Sequence, residues 1–123
     1  MLEIYNTNVE VGANAVVPFE NVSIKKGCTA ELSGTGTIKL NRCGVYMVSV
    51  DASAEASTTL QLYKNGIAQA QAQSTGGTPA FTTLVQVSEN NSNCPCASAV
   101  SLQIMNTTAT TLTNVNCVVT KVC

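Results

Sequence analysis

The 123-residue chain contains no histidine and no tryptophan, and charged residues make up only 11% of it. Without histidine, neither a Ser-His or Cys-His catalytic pair nor a histidine-ligated metal site can form within one chain. Six Lys and Arg are balanced by seven Asp and Glu, which argues against nucleic-acid binding and against a polybasic membrane anchor. No apolar run approaches the ~18 residues of a membrane-spanning helix. We therefore expect a single domain, 1–123, that is not an enzyme and holds no cofactor or metal.

The first residues and the cysteines bear on where the chain works. The opening MLEIYNTN lacks the basic and apolar regions of a secretory signal peptide. Disulfides, however, are rare in proteins that stay in the cytosol. The six cysteines are Cys28, Cys43, Cys94, Cys96, Cys117 and Cys123. A protein that folds reduced inside a cell and works outside it after lysis satisfies both observations; a chain trimmed of its leader is the alternative.

Alternation of polar and apolar residues predicts an all-β chain. The longest predicted strand, Gly44–Glu55, carries apolar side chains on both faces, which favours a central strand covered on both sides. Other strands are predicted at Gly12–Phe19, Thr35–Leu40, Phe81–Ser88, Ala97–Asn106 and Val115–Val122. Strands at this spacing indicate a sandwich or a barrel. A core with two Phe and no Trp is small, so burial between copies of the chain is expected to add stability.

The segment around Asn65-Gly66 predicts a hairpin whose register can be worked out from burial. A two-residue Asn-Gly loop would place Leu62 opposite Gln69 and mix apolar with polar residues on each face. A three-residue loop, Lys64–Gly66, would instead place Leu62 opposite Ala68. The three-residue loop separates the faces better, and it is the predicted register.

Three stretches of the sequence resemble the C1q/TNF-like jelly-roll domain. They are GTGTIKLNRCGVYMVSV from Gly34, LQLYKNG from Leu60 and NCVVTKV from Asn116. The resemblance implies an antiparallel two-sheet jelly-roll sandwich that assembles as a homotrimer, with residues 1–12 as an N-terminal strand or arm for attachment or trimer packing. It places the Gly-Val-Tyr strand and the last strand near the threefold axis, which makes Tyr46, Met47 and Val119 candidates for the trimer interface. Ordinary core positions are the alternative for all three.

The cysteines allow several interpretations. Cys94-Pro95-Cys96 has too short a spacer for a typical structural zinc site, so a loop anchored by disulfides is favoured over a metal. Cys28 and Cys43 flank one predicted strand and are a plausible pair, and Cys123 could link subunits. Burial as small apolar residues is the alternative for all six cysteines.

Three classes of function remain open. The first is a bacteriophage virion protein, a capsid-decoration or head-fibre component at the virion surface, whose partners are its own copies, a major capsid protein or other virion protein, and a host-surface glycan. The second is a bacterial surface or spore-coat tip. The third is an enzyme, but the Asp51 and Glu55 carboxylates lie about 13 Å apart along one strand, too far for a glycosidase pair. The predicted binding loops, 74–80 and 89–96, contain Thr75, Asn90, Asn91 and Asn93.

Overall fold

The computed structural model describes residues 1–27, 29–87 and 100–123, and these residues form strands and turns but no helix. The strands are β1 (Leu2–Val11), β2 (Ala15–Val16), β3 (Asn21–Lys25), β4 (Ala30–Ser33), β5 (Thr37–Leu40), β6 (Gly44–Ala54), β7 (Thr58–Lys64), β8 (Ile67–Gly76), β9 (Ala80–Val87), β10 (Val100–Asn106) and β11 (Thr110–Lys121). The all-β prediction is thereby confirmed.

Two antiparallel sheets make up the sandwich. The first, sheet A, has the order β3-β1-β11-β6-β9, and the second, sheet B, has the order β4-β5-β10-β7-β8, with the short β2 also pairing with β10. The last strand, β11, lies between the first strand and β6 and pairs with both. The Gly-Val-Tyr strand, β6, and the last strand thus lie side by side in one sheet.

The core lies between the sheets and is built from aliphatic side chains, with Phe19 and Tyr46 as its largest members. Each sheet contributes every second residue of its central strands, because successive side chains of a strand point to opposite faces. β10 alternates strictly, with Val100, Leu102 and Ile104 buried. The Tyr46 ring is buried, and its hydroxyl donates a 2.7 Å hydrogen bond to the carbonyl oxygen of Arg42, so its polar atom is satisfied.

The early strand prediction at Gly12–Phe19 was wrong in extent. Only Ala15–Val16 is a strand there, and the long first strand is β1. The alternation of β1 is hidden because Asn6 occupies a core-facing position, where its amide donates to the Pro18 carbonyl oxygen at 2.9 Å. Asn8 then adopts a left-handed conformation, φ 49°, and the pattern of alternating burial breaks after it. Residues 2–11 are therefore an inner strand of sheet A.

The predicted three-residue hairpin register was also wrong. Lys64 pairs with Ile67, and Asn65 and Gly66 form a two-residue turn with positive φ at both residues. A β-bulge between Gln61 and Tyr63 then shifts the register, so that Leu60 pairs with Ser74. The bulge removes the mismatch that the two-residue loop would otherwise cause, because it returns Ala72 to the buried face of β8.

β6 is central, as predicted, with β11 on one side and β9 on the other. Among residues 1–27, 29–87 and 100–123, however, only one of its faces is covered. Tyr46, Val48 and Val50 are buried against sheet B, whereas Val45 and Met47 remain partly accessible on the opposite face. The apolar character of that opposite face is thus not explained by the packing of one chain.

Gly44, at the start of β6, has a φ of +145°, a conformation that side chains with a Cβ rarely adopt. An added Cβ would also lie 2.5 Å from the Cys123 carbonyl oxygen and would meet the Lys121 side chain. We expect Gly44→Ala to lower the free energy of unfolding by about 2 kcal/mol, measured by urea denaturation. Gly77→Ala, where nothing lies within 4 Å of the added Cβ, is the matched control; an equal loss in both variants would contradict the prediction.

Candidate interaction surfaces

An apolar surface covers the outer side of sheet A toward its β9 edge. Met47 of β6 is directly opposite Leu84 of β9, and the Leu84 side chain is 60% exposed. Val45 and Val118 lie partly exposed on the same side. We call this surface, Val45, Met47, Leu84 and Val118, the Leu84 face. Its immediate neighbours Ser49 and Thr82 are small and uncharged, and their hydroxyls are 3.1 Å apart.

A second apolar area lies toward the opposite edge of the same sheet, at β3. Ile24 of the edge strand β3 and Tyr5 of β1 are 36% and 37% exposed on the outer side of the sheet, whereas Val22, 49% exposed, pairs with the buried Ile4 and lies toward the other side. We call Tyr5 and Ile24 the β3 patch. Three strands lie between β3 and β9 in the sheet order. Glu3 of β1 pairs with both Val118 and Ile24, so this charged residue separates the two apolar areas on the outer side of the sheet.

The three predicted interface residues do not share one environment. Tyr46 and Val119 are fully buried between the sheets of a single chain, which is the core alternative, and they have no surface left for a second copy. Met47 faces outward in the Leu84 face and keeps the interface prediction. The residues that sequence reasoning missed are Leu84 and Val118. Only the strand register identifies them, because it places Leu84 across from Met47 and Val118 across from Ser49 on the same outer face.

Of the predicted loop residues, Thr75 lies in strand β8 rather than in a loop. Its hydroxyl is exposed and 2.6 Å from that of Thr59 across the strand pair. The prediction was wrong about the loop because β8 continues to Gly76, which leaves residues 77–79 as the connection to β9. Asn90, Asn91 and Asn93 lie outside the described residues.

The described cysteines occupy different environments. Cys117 is buried and Cys123 is exposed, and neither is in a disulfide; Cys43 is half-buried. Burial, reinforced by the Asp51 carboxylate, raises the pKa of the Cys117 thiol to about 12. Cys117 is thus the small apolar core residue of the alternative interpretation, whereas Cys123 keeps an accessible thiol. Cys28, Cys94 and Cys96 lie outside the described residues, so the proposed Cys28–Cys43 pair remains a prediction.

A buried polar cluster closes the end of the sandwich at which β10 ends and β7 begins. Asn106 is fully buried, and its amide donates to the carbonyl oxygens of Thr108 at 2.7 Å and of Val11 at 3.2 Å. The hydroxyl of Thr58, itself 2% exposed, donates to the Asn106 side-chain oxygen. The cluster fixes the 107–109 turn against the end of β1.

Two open grooves lie at this same end of the molecule. One, of about 610 Å³, is lined by residues that include Glu10, Glu55 and Thr110. The other, of about 480 Å³, is lined by residues that include Glu20, and both grooves share Glu10 and Thr111. In the described part of the chain, no three Asp, Glu, Cys or His side chains are placed to hold a metal ion. The same residues contain no helix that could cross a bilayer.

The two antiparallel sheets and their strand order define the C1q/TNF-like jelly-roll fold. The chain is similar to the globular domain of zebrafish complement 1qA protein, with a TM-score of 0.76 at 12% identity, covering 99% of this chain and 96% of that one. It is also similar to rabbit GITRL, with a TM-score of 0.64 at 10% identity over 100% and 95% of the chains. Murine APRIL gives a TM-score of 0.64 at 9% identity over 98% of both chains. No family model and no curated protein matches the sequence.

Proposed function

We propose that the chain is a structural protein that assembles as a homotrimer through sheet A. The observation that carries this proposal is the presence of two different apolar areas, the Leu84 face and the β3 patch, on one sheet. Contact between unlike patches of identical chains generates a ring when the rotation closes. The C1q/TNF-like fold supports a closed trimer over other rings. Burial of these areas would also complete the covering of β6, whose outer face is apolar but open in the single chain.

We further propose that this trimer is a knob on the surface of a bacteriophage particle, as a capsid-decoration or head-fibre component. The low-charge, Thr- and Asn-rich surface suits a durable module that binds by shape and hydrogen bonds. Its partners would be a major capsid protein or another virion protein, with a host-surface glycan as a second contact. No catalytic role is proposed.

The trimer is tested by a charge placed in the Leu84 face. We expect the wild-type protein to have three times the mass of one 12.8 kDa chain in light scattering at micromolar concentration. Leu84→Lys should weaken assembly at least ~100-fold, because burial of a leucine is lost and a charge must be desolvated. Ile67→Lys is the matched control, because Ile67 is 68% exposed and lies on sheet B. A trimer that survives Leu84→Lys would contradict the proposed interface.

The virion role needs a separate experiment. Antibody raised against the chain should label purified phage particles of the producing strain, and particle maps should show the protein in threefold knobs. Labelling confined to spores or cell surfaces would instead support the bacterial surface tip. Such a result would leave the trimer unaffected, because the two claims are measured on different samples.

A further inference from the structure

All six basic side chains lie at one end of the sandwich. β1 begins at this end, where Leu2 pairs with Lys25, and β11 finishes there, where Lys121 pairs with Tyr46. The Lys64 ammonium donates to the Gln86 carbonyl oxygen, and Gln86 pairs with Val45 at the start of β6. This basic end consists of Lys25, Lys26, Lys39, Arg42, Lys64 and Lys121. Five of the six are exposed, Lys64 being half-buried.

The opposite end carries only acidic charge. Glu10 and Glu20 line one of the two grooves described above, Glu10 and Glu55 line the other, and all three side chains are exposed. Glu55 also donates its backbone N–H to Thr111, which fixes it beside the grooves. We call these three residues the acidic end. Because every Lys and Arg of the chain lies at the basic end, no cation neutralises this surface.

The two ends act as separate surfaces. β1 runs from one end to the other over ten residues, which is about 30 Å of extended strand. This exceeds the Debye length of ~8 Å at physiological ionic strength, so the charges of one end are screened from those of the other. At the basic end, Glu31 lies across from Lys39 and Glu3 is nearby in β1, but the cations remain in excess.

We propose that copies of the protein dock end to end, with the basic end of one copy seated on the acidic end of the next. The chain itself supplies both members of this complementary pair. Its net charge of −1 means that whole molecules do not repel one another strongly, while the local end-to-end attraction remains. The grooves beside Glu10 give partner lysine side chains a place to enter.

Docking of this kind is head to tail and does not close, so it extends as a stack along the strand direction. It goes beyond the proposed trimer, because assembly through the faces of sheet A leaves both strand ends free. Each trimer would present three basic ends on one side and three acidic ends on the other. The stack is therefore a fibre of trimers, and isolated chains would stack by the same contact.

The first test measures mass against salt. We expect light scattering of the wild-type protein at 10 mM salt, where the Debye length is ~30 Å, to give at least twice the mass found at 500 mM salt. Lys25→Gln with Lys26→Gln should reduce this increase several-fold. Ala70→Glu with Gln71→Glu makes the same change in net charge, but between the ends on strand β8, and should retain the increase. Equal masses at both salt concentrations would overturn the proposal.

The second test separates docking from a general effect of charge. Lys25→Glu with Lys26→Glu makes the basic end repel the acidic end, and Glu10→Lys with Glu55→Lys does the converse. Neither variant should stack alone, but an equimolar mixture should recover the low-salt mass. Lys25→Arg with Lys26→Arg should behave as wild type. A mixture that stays unstacked would refute end-to-end docking, and Leu84→Lys included in both variants shows whether the outcome depends on the trimer.

Discussion

Replacement of Asn106 by alanine is expected to lower the free energy of unfolding by about 3 kcal/mol. The variant loses the amide that satisfies the Thr108 and Val11 carbonyl oxygens, and it removes the nearer of the two acceptors of the buried Thr58 hydroxyl, which leaves the Thr108 carbonyl oxygen at 3.3 Å. These groups would remain in a site with no exposed surface, where an unpaired polar atom costs much more than the hydrogen bond contributes. The 107–109 turn would lose its attachment as well.

Urea denaturation followed by circular dichroism measures this loss, and the thermal midpoint should fall by roughly 10 °C. Asn114→Ala is the matched control, because Asn114 is an exposed asparagine on β11. Its substitution should change the free energy of unfolding by less than ~0.5 kcal/mol. If Asn106→Ala proves as mild as the control, the buried cluster does not stabilise this end of the sandwich.

The second large effect is a loss of stability in alkali that depends on Cys117. Burial raises the pKa of this thiol from 9.0 to about 12. Below pH 9 the thiol is protonated in both the folded and the unfolded chain, and it contributes no pH dependence. Between pH 9 and pH 12 the unfolded chain releases the proton while the folded chain retains it, so folding is disfavoured by about 1.4 kcal/mol per pH unit. The loss approaches about 4 kcal/mol at pH 12.

This loss is measured as the difference between wild type and Cys117→Val, because the other effects of alkali act on both proteins alike. The valine variant should lose stability less steeply than wild type between pH 9 and pH 12, and the two slopes should agree below pH 8. Cys123→Ser is the control and should follow wild type throughout, since Cys123 is exposed. Parallel slopes for wild type and Cys117→Val would show that the thiol is not buried in the folded protein.

Much of the fold is predictable because strand periodicity is a local property. β6, β9, β10 and β11 alternate over seven or more residues, and their positions follow from that pattern. The alternation pattern did not locate β1, which only the resemblance implied as an N-terminal strand or arm, because a hydrogen-bonded asparagine, Asn6, replaces an apolar residue on its core face. The pairing of Leu60 with Ser74 depends on a bulge, and no local signal in the Ala-Gln repeat of β8 specifies one.

The interaction surfaces were less predictable for a different reason. The pattern of β6 shows that both of its faces are apolar, but it cannot tell which face meets the other sheet of the same chain. Tyr46 and Met47 are adjacent in sequence, yet Tyr46 is buried between the sheets and Met47 lies on the outer face. The separation of charge between the two ends is not visible in the sequence. Lys25 and Lys121 come to the same end of the molecule only because β1 pairs with both β3 and β11.

The position of β11 between β1 and β6 also sets the order in which the molecule can be completed during synthesis. While the ribosome is still translating the last strand, β1 and β6 have no partner between them, and sheet A cannot close. The apolar strands β1 and β6 of the nascent chain therefore stay unpaired on one side until β11 emerges. The contacts between residues farthest apart in sequence then form last. A chaperone that shields β6 until β11 has emerged is therefore expected to raise the yield of folded protein.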